Sequence, residues 1–449
     1  MGEVKDVEEL LKKAEKPGQD ALKLHPFYRG KIQVMPKCVV RSLDDFAIWY
    51  TPGVAAPCRE IEKDPEKVWE YTNKGNTVAI VSDGTRVLGL GDIGPYGALP
   101  VMEGKALIFK YLGGVDAFPV VLGTKATEQI IQAVKWIEPS FGGINLEDIA
   151  QPKCFTILNT LREEMPIPVW HDDQQGTATV ILAGLLNAVE FVGKKKEDVR
   201  VVLVGAGAAN IRTAHILIKA GFNPELMIVV DSKGILHRDR EDLAKRYPEK
   251  WEITQMTNKE NRKGGLREAM IGADVIVGAS KPGPGVINPE WIKDMAKDPI
   301  VFACANPVPE IWPWEAKEAG AAIVATGRSD FPNQINNSLG FPGIFRGALD
   351  VRAKTITDEM CIAAAEELAK IARDKGLKED YIIPNMEEWE VFPREAAAVG
   401  EMAIKQGVAR IDGYTYDDLI SIAEKKIKEA RDSLKLLMDS GLIPQPDDD

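Results

Sequence analysis

Cysteine is scarce in this chain. The five cysteines among 449 residues (Cys38, Cys58, Cys154, Cys304 and Cys361) are widely spaced, odd in number and contain no C-x-x-C pair. That pattern excludes a disulfide-stapled fold, argues against a thiolate zinc site and fits free thiols in a reducing cytoplasm. Histidine is scarcer still, and His25, His171, His215 and His237 show no metal-ligand spacing. Long apolar runs are missing. The most apolar stretch, Val180 to Glu190, is broken by Asn187 and Glu190 and is too short to span a bilayer, so it reads as a buried helix with no membrane partner. Positive charge is in deficit: 56 Lys+Arg face 68 Asp+Glu, a formal net charge of -12. A surface of that sign repels phosphate backbones, and no nucleic acid partner is expected. Met1 to Ala14 has amphipathic helical spacing with mixed charge, unlike a signal or transit peptide. The closing Pro446–Asp449 reads as a solvated tail.

What is present is ordinary for a globular chain of two or three domains, with 45% hydrophobic and 28% charged residues. After the basic stretch Gly193–Asp198 comes a short β-branched run, Val199–Val204, then Gly205-Ala206-Gly207 and a helical pattern through Ala220. A strand at Met227–Asp231 follows, with further strand-length runs at Asp274–Val277, Ile300–Ala303 and Ala322–Ala325. Helix-like segments such as Pro289–Lys297 and Glu315–Ala319 lie between them. Such alternation predicts a doubly wound α/β nucleotide domain with a parallel sheet. Upstream, Thr77–Val81, a helix around Glu103–Leu112 and Phe118–Leu122 predict a second, smaller α/β unit. Beyond about residue 350 the pattern is helical, at Asp358–Lys375, Pro393–Gln406 and Thr415–Ser440.

Gly205, Ala206, Gly207, Ala208 and Ala209 sit between a predicted strand and a predicted helix, the context in which glycines let a backbone approach a pyrophosphate at a helix N-terminus. Asn210 replaces the usual third glycine. Asp231, ending the next strand, is placed to bind ribose hydroxyls and favours NAD, while Ser232 and Lys233 are suited to the 2′-phosphate of NADP. Two acidic pairs, Glu147-Asp148 and Asp172-Asp173, each follow an apolar run. They read either as solvated loop acids and a helix cap or as oxygen ligands for Mg²⁺ or Mn²⁺. Arg86, in the glycine-rich Ser82–Asp92 loop, is available to hold a carboxylate bidentately. Lys105 reads as a surface lysine or, if buried beside a metal ion, as a base with its pKa drawn from about 10.4 toward 7–8. Tyr50 precedes a proline turn and reads as a core tyrosine or a phenol facing a cleft. Asn306 and Asn337 follow strands of the nucleotide domain and suit turn chemistry or neutral hydrogen bonding to a ligand.

Taken together, Tyr50-Thr-Pro-Gly-Val, Ser82-Asp-Gly-Thr-Arg-Val-Leu-Gly-Leu-Gly-Asp-Ile-Gly, Glu103-Gly-Lys-Ala-Leu, Leu146-Glu-Asp-Ile, His171-Asp-Asp-Gln-Gln-Gly-Thr-Ala and Gly205-Ala-Gly-Ala-Ala resemble the malic enzyme family, in the family's order, from about residue 25 to at least Ala353. The resemblance implies Tyr50 as general acid, Lys105 as general base supported by Asp172, and Glu147, Asp148 and Asp173 as ligands of Mg²⁺ or Mn²⁺. It further implies Arg86, Asn306 and Asn337 as contacts for malate or the cofactor ribose, and a homodimer or higher homo-oligomer. The implied architecture is a Rossmann-like domain, residues 173–336, inserted into an α/β catalytic domain formed by 1–172 and 337–449. The implied reaction is NAD(P)-linked oxidative decarboxylation of L-malate to pyruvate and CO₂. A malolactic enzyme, a metal-independent dehydrogenase and a non-catalytic nucleotide-sensing relative are the competing readings.

Overall fold

The computed structural model describes residues 16–328 and 330–446, so the amphipathic pattern of Met1–Ala14 lies outside the described residues, as do the last three aspartates. Among the described residues two parallel sheets organise the molecule. The first has strands β1 (Thr77–Ser82), β2 (Asp116–Val121), β3 (Gly143–Leu146) and β4 (Val169–His171), in the order β2-β1-β3-β4. The second has β5 (Val201–Val204), β6 (Ile228–Asp231), β7 (Gly234–Ile235), β8 (Val275–Gly278), β9 (Ile300–Ala303) and β10 (Ile323–Thr326), in the order β10-β9-β8-β5-β6-β7. Only the short β7 runs antiparallel, against β6. Every residue of β1, β3, β4, β5, β8, β9 and β10 is buried, which is why apolar residues dominate these strands on both faces.

The helices that position the site are α1 (Gly94–Gly113), α2 (Lys153–Glu164), α3 (Thr177–Phe191), α4 (Ala208–Lys219), α5 (Phe341–Asp350), α6 (Asp358–Lys375), α7 (Val391–Lys405) and α8 (Tyr416–Asp439). After β10 the chain returns to the first sheet: α5 and α8 pack on α1, α6 packs on α3, and α7 lies among α5, α6 and α8. Phe109 of α1 meets Phe341 and Phe345 of α5 at ring separations of 4.6 and 5.3 Å, sealing that return. No helix of the described residues is long and apolar enough to cross a membrane.

Two segments differ from the sequence expectation. Helix α1 starts nine residues before Glu103, because Gly94 supplies a left-handed turn (φ 74°) and Pro95 suits a first helical position. The expected Pro289–Lys297 helix stops at Ile292. Beyond it, Asp294 O accepts the Gly272 N–H and the Ala296 N–H bonds Ala273 O, so backbone groups needed for further helical turns are spent on the turn ahead of β8.

Candidate active site

In a parallel sheet all strands end on the same edge, and ligands gather there. The ends of β3 and β4 therefore place Glu147-Asp148 beside Asp172-Asp173, although 25 residues separate Asp148 from Asp173. Oxygens of Glu147, Asp148 and Asp173 lie within 4.8 Å of one another. The Asp148 N–H donates to Asp173 Oδ2 at 2.8 Å, which needs the left-handed backbone of Asp148 (φ 55°), a conformation costly for a non-glycine residue. Asp148 Oδ2 is buried without a partner. Burial and mutual repulsion push Asp148 up to about 8 and raise Glu147 well above the usual carboxylate range. Asp172 and Asp173 shift the same way, chiefly through burial.

Lys105 answers part of that charge. It shares the inward face of α1 with Ala98, Met102 and Phe109, at helical spacing, and is buried. Its Nζ lies 2.7 Å from Glu147 Oε1, pairs with Asp172 Oδ2 and sits 4.4 Å from the centre of the Phe341 ring. Burial alone would lower its pKa, but Asp172 and Glu147 outweigh it and raise it above that of a free lysine. Lys105 is thus neither a surface lysine nor a group already shifted toward neutrality; it is held as an ammonium. Asp172 in turn needs Gly176, where a Cβ would collide with its carboxylate, and the π-helical turn Asp172–Gly176 keeps Asp172 and Asp173 at the mouth of α3. His171 is fully buried and pushed down to about 3 by desolvation, so it is a neutral ring beside Asp173.

The acid cluster forms one end of a cavity of about 1300 Å³ that also contains Arg86, Lys105, Gly205–Ala209, Asp231, Asn306 and Asn337. At the other end, Gly205 has φ 96° and its missing Cβ would lie 2.6 Å from Ala279 O; at Gly207, by contrast, nothing lies within 4 Å of an added Cβ. The first glycine thus serves the close approach of β5 and β8, where the strand order reverses, and the second leaves the N-terminus of α4 open. Asn210 does not face the cavity; its amide donates to Val204 O at 2.9 Å, tying α4 to the sheet where a third glycine would otherwise pack. Asp231 accepts both Arg240 terminal nitrogens at 3.2 Å and lies 3.6 Å from Lys250, and these cations hold its pKa below the usual value despite burial. Ser232, Lys233 and Lys250 line the same corner.

Tyr50 is not brought to the cavity. It is 71% exposed just beyond a helical turn at Phe46–Trp49, among exposed Leu43, Phe46, Ile48 and Trp49. Residues that sequence reasoning passed over hold the Arg86 loop. Buried Asp83 accepts the Thr85 N–H at 3.1 Å and the Thr85 hydroxyl at 2.6 Å and pairs with Lys153, while Thr85 Oγ1 accepts the Ala150 N–H at 3.0 Å. The loop after β1 is thereby tied to the loop after β3, and the Arg86 N–H donates to Asp148 O at 2.9 Å. The Asp83-Gly84-Thr85 spacing, suited to an Asx turn, was the available signal.

Two family models match the chain: the malic enzyme NAD-binding domain over residues 174–404, and the malic enzyme N-terminal domain over residues 29–129 and 123–162. The chain is 54% identical over 391 residues to the NAD-dependent malic enzyme of Geobacillus stearothermophilus, covering 86% of this chain and 80% of the relative. It is 50% identical over 393 residues to the bifunctional malic/malolactic enzyme of Bacillus subtilis, covering 88% and 94%. The crystal structure of Entamoeba histolytica malic enzyme superposes with a TM-score of 0.95 at 51% identity, over 97% of this chain and 91% of that one.

Proposed function

The chain belongs to the malic enzyme family, and from that membership we propose that it oxidatively decarboxylates L-malate to pyruvate and CO₂, reducing NAD or NADP. The observation that carries this reading is Lys105, set between Asp172 and Glu147 in the same cavity that Gly205–Ala209 line. We divide the chain into a catalytic part, 1–172 with 337–449, and a nucleotide part, 173–336.

Glu147, Asp148 and Asp173 are assigned to a divalent cation, Mg²⁺ or Mn²⁺. Three carboxylates with oxygens within 4.8 Å of one another, Glu147 and Asp148 buried, Asp173 partly exposed and Asp148 Oδ2 without a partner, fit a hard ion. Four carboxylates facing one buried ammonium would otherwise repel a dicarboxylate substrate. When bound, the cation supplies positive charge for the C2 oxygen and the developing enolate, and the nicotinamide supplies a hydride acceptor.

The chain's own residues supply the rest. Arg86, at the cavity mouth, holds a malate carboxylate. Asn306 and Asn337 hydrogen-bond substrate and nicotinamide ribose without adding charge. Lys105 moves the proton at the C2 hydroxyl, and Asp172 and Glu147 hold its ammonium between turnovers. Positioned proton transfer of this kind contributes about 10²–10⁴ in rate.

Tyr50 is assigned as the proton donor to C3, acting in the cavity of a second copy within a homodimer. That Tyr50 does not line its own chain's cavity, and that Val39, Leu43, Phe46, Ile48 and Trp49 near it in sequence are exposed, supports this, since clustered exposed apolar residues mark interaction surfaces. The five free cysteines support residence in the cytoplasm. A malolactic side activity, releasing lactate, is the second reading, favoured by the similarity to the Bacillus subtilis relative. Turnover of L-malate with NAD and NADP in turn tests the proposal; no reaction with either would overturn it.

A further inference from the structure

Glu310 lies in the segment after β9, fully buried, outside every role assigned so far. Its carboxylate is met by hydrogen bonds from two separate loops. Oε1 accepts the Ser280 N–H at 2.9 Å and the Ser280 hydroxyl at 3.0 Å; Oε2 accepts the Ala305 N–H at 3.0 Å. Gly278, ending β8, makes room for it, since a Cβ there would lie 2.7–2.9 Å from the carboxylate. The two loops it joins, after β8 and after β9, both line the cavity, through Ala279–Pro282 and Cys304–Asn306.

The same two loops receive the tip of the Arg86 loop. A Cβ on Gly89 would lie 2.7 Å from Pro282 Cγ, 2.8 Å from Asn306 O and 3.1 Å from Pro307 Cδ. Gly89 thus rests against both loops at once, three residues from Arg86. Spreading the loops would move Asn306 and release the Arg86 loop together.

We propose that Glu310 is a positioning residue that clamps the loops after β8 and β9 into a single seat for Gly89, fixing Asn306 and the Arg86 loop relative to one another in the cavity. The roles of those two residues are those of the proposed function, on which this inference rests. A carboxylate is required because both of its oxygens accept; in Glu310→Gln the amide NH₂ would face an N–H donor from one loop or the other. Such loss of register at a site costs on the order of 10²-fold for a displacement of about 1 Å.

The test compares Glu310→Gln, Ser280→Ala and Gly89→Ala, using the full-length protein, malate kinetics, NADH titration by fluorescence, and hydrogen exchange of segments 279–283 and 304–308. Glu310→Gln and Gly89→Ala are expected to lower kcat/KM for malate by about 10- to 100-fold. NADH affinity should fall less than kcat/KM, by no more than about tenfold, because Asn306 shifts at the nicotinamide ribose while the N-terminus of α4 is untouched. Ser280→Ala, losing one bond of three, should fall between them and wild type. Exchange in both segments should quicken in Glu310→Gln whether or not the enzyme turns over malate. Gly89 is a partly exposed loop residue with no left-handed φ, so its variant folds even if Glu310→Gln does not. Wild-type kcat/KM in Gly89→Ala, or unchanged exchange in Glu310→Gln, would overturn the clamp. A wild-type chain inert toward malate would instead overturn the proposed function, with the exchange result still deciding the clamp.

Discussion

Lys105 Nζ lies 2.7 Å from Glu147 Oε1, so a carboxylate assigned to the metal and the lysine assigned to the proton are direct neighbours. Replacing Lys105 by arginine keeps a cation between Glu147 and Asp172, yet guanidinium does not release its proton in a protein. Lys105→Arg should lower kcat by at least about 10²-fold, with NADH binding retained. Steady-state kinetics beside a fluorescence titration check this, and near-wild-type turnover would remove Lys105 from the proton transfer.

The acid cluster predicts a cation effect that can be read without turnover. A ligand that binds only the folded state stabilises it by about 2.7 kcal/mol at a hundred times its Kd. Mn²⁺ should therefore raise the melting temperature of the wild type and much less that of Asp148→Asn. Excess chelator should silence malate oxidation, and Mn²⁺ or Mg²⁺ should restore it. Full activity in chelator would exclude the assignment.

If Tyr50 serves the second copy's cavity, two inactive variants should complement. Homodimers of Tyr50→Phe and of Lys105→Ala would each be impaired, whereas mixed dimers carry one complete site. Random reassortment of equal amounts restores about a quarter of wild-type activity in a C₂ dimer. No recovery after verified subunit exchange would place Tyr50 elsewhere.

Glu395 of α7 is buried with neither carboxylate oxygen hydrogen-bonded, and desolvation raises its pKa well above the usual value. The unfolded chain gives up this proton at an ordinary carboxylate pKa, near 4.3. Stability from the neutral form is complete below that value and is lost as pH rises toward the folded pKa. Glu395→Gln, neutral at every pH, should melt above wild type at about pH 8, with the difference shrinking toward about pH 5. Melting curves at the two pH values check the sign; an equal difference at both would show that Glu395 does not titrate this way.

Strand-end placement was readable from sequence because β3 and β4 are short apolar runs, each followed directly by acids, and parallel strands must present them on one edge. The glycine cradle was readable for the same reason. The charge state of Lys105 was not, since it depends on whether burial or two distant carboxylates dominate. The start of α1 was hidden by Gly97 and Pro100, which resemble breakers. The Lys153–Asp83 pair and the Ser280–Glu310 bonds connect segments far apart in sequence, where spacing carries no information. Tyr50 was readable as a motif but not as a location, because its surroundings lie outside its own chain's cavity.

Oxidative decarboxylation fixes a specific product stoichiometry, and product analysis reads it directly. With wild-type protein, Mn²⁺, L-malate and NAD or NADP, the reaction is expected to release pyruvate, CO₂ and reduced nucleotide in equal amounts. Lactate and CO₂ with no net reduced nucleotide, or oxaloacetate accumulating without CO₂, would contradict it.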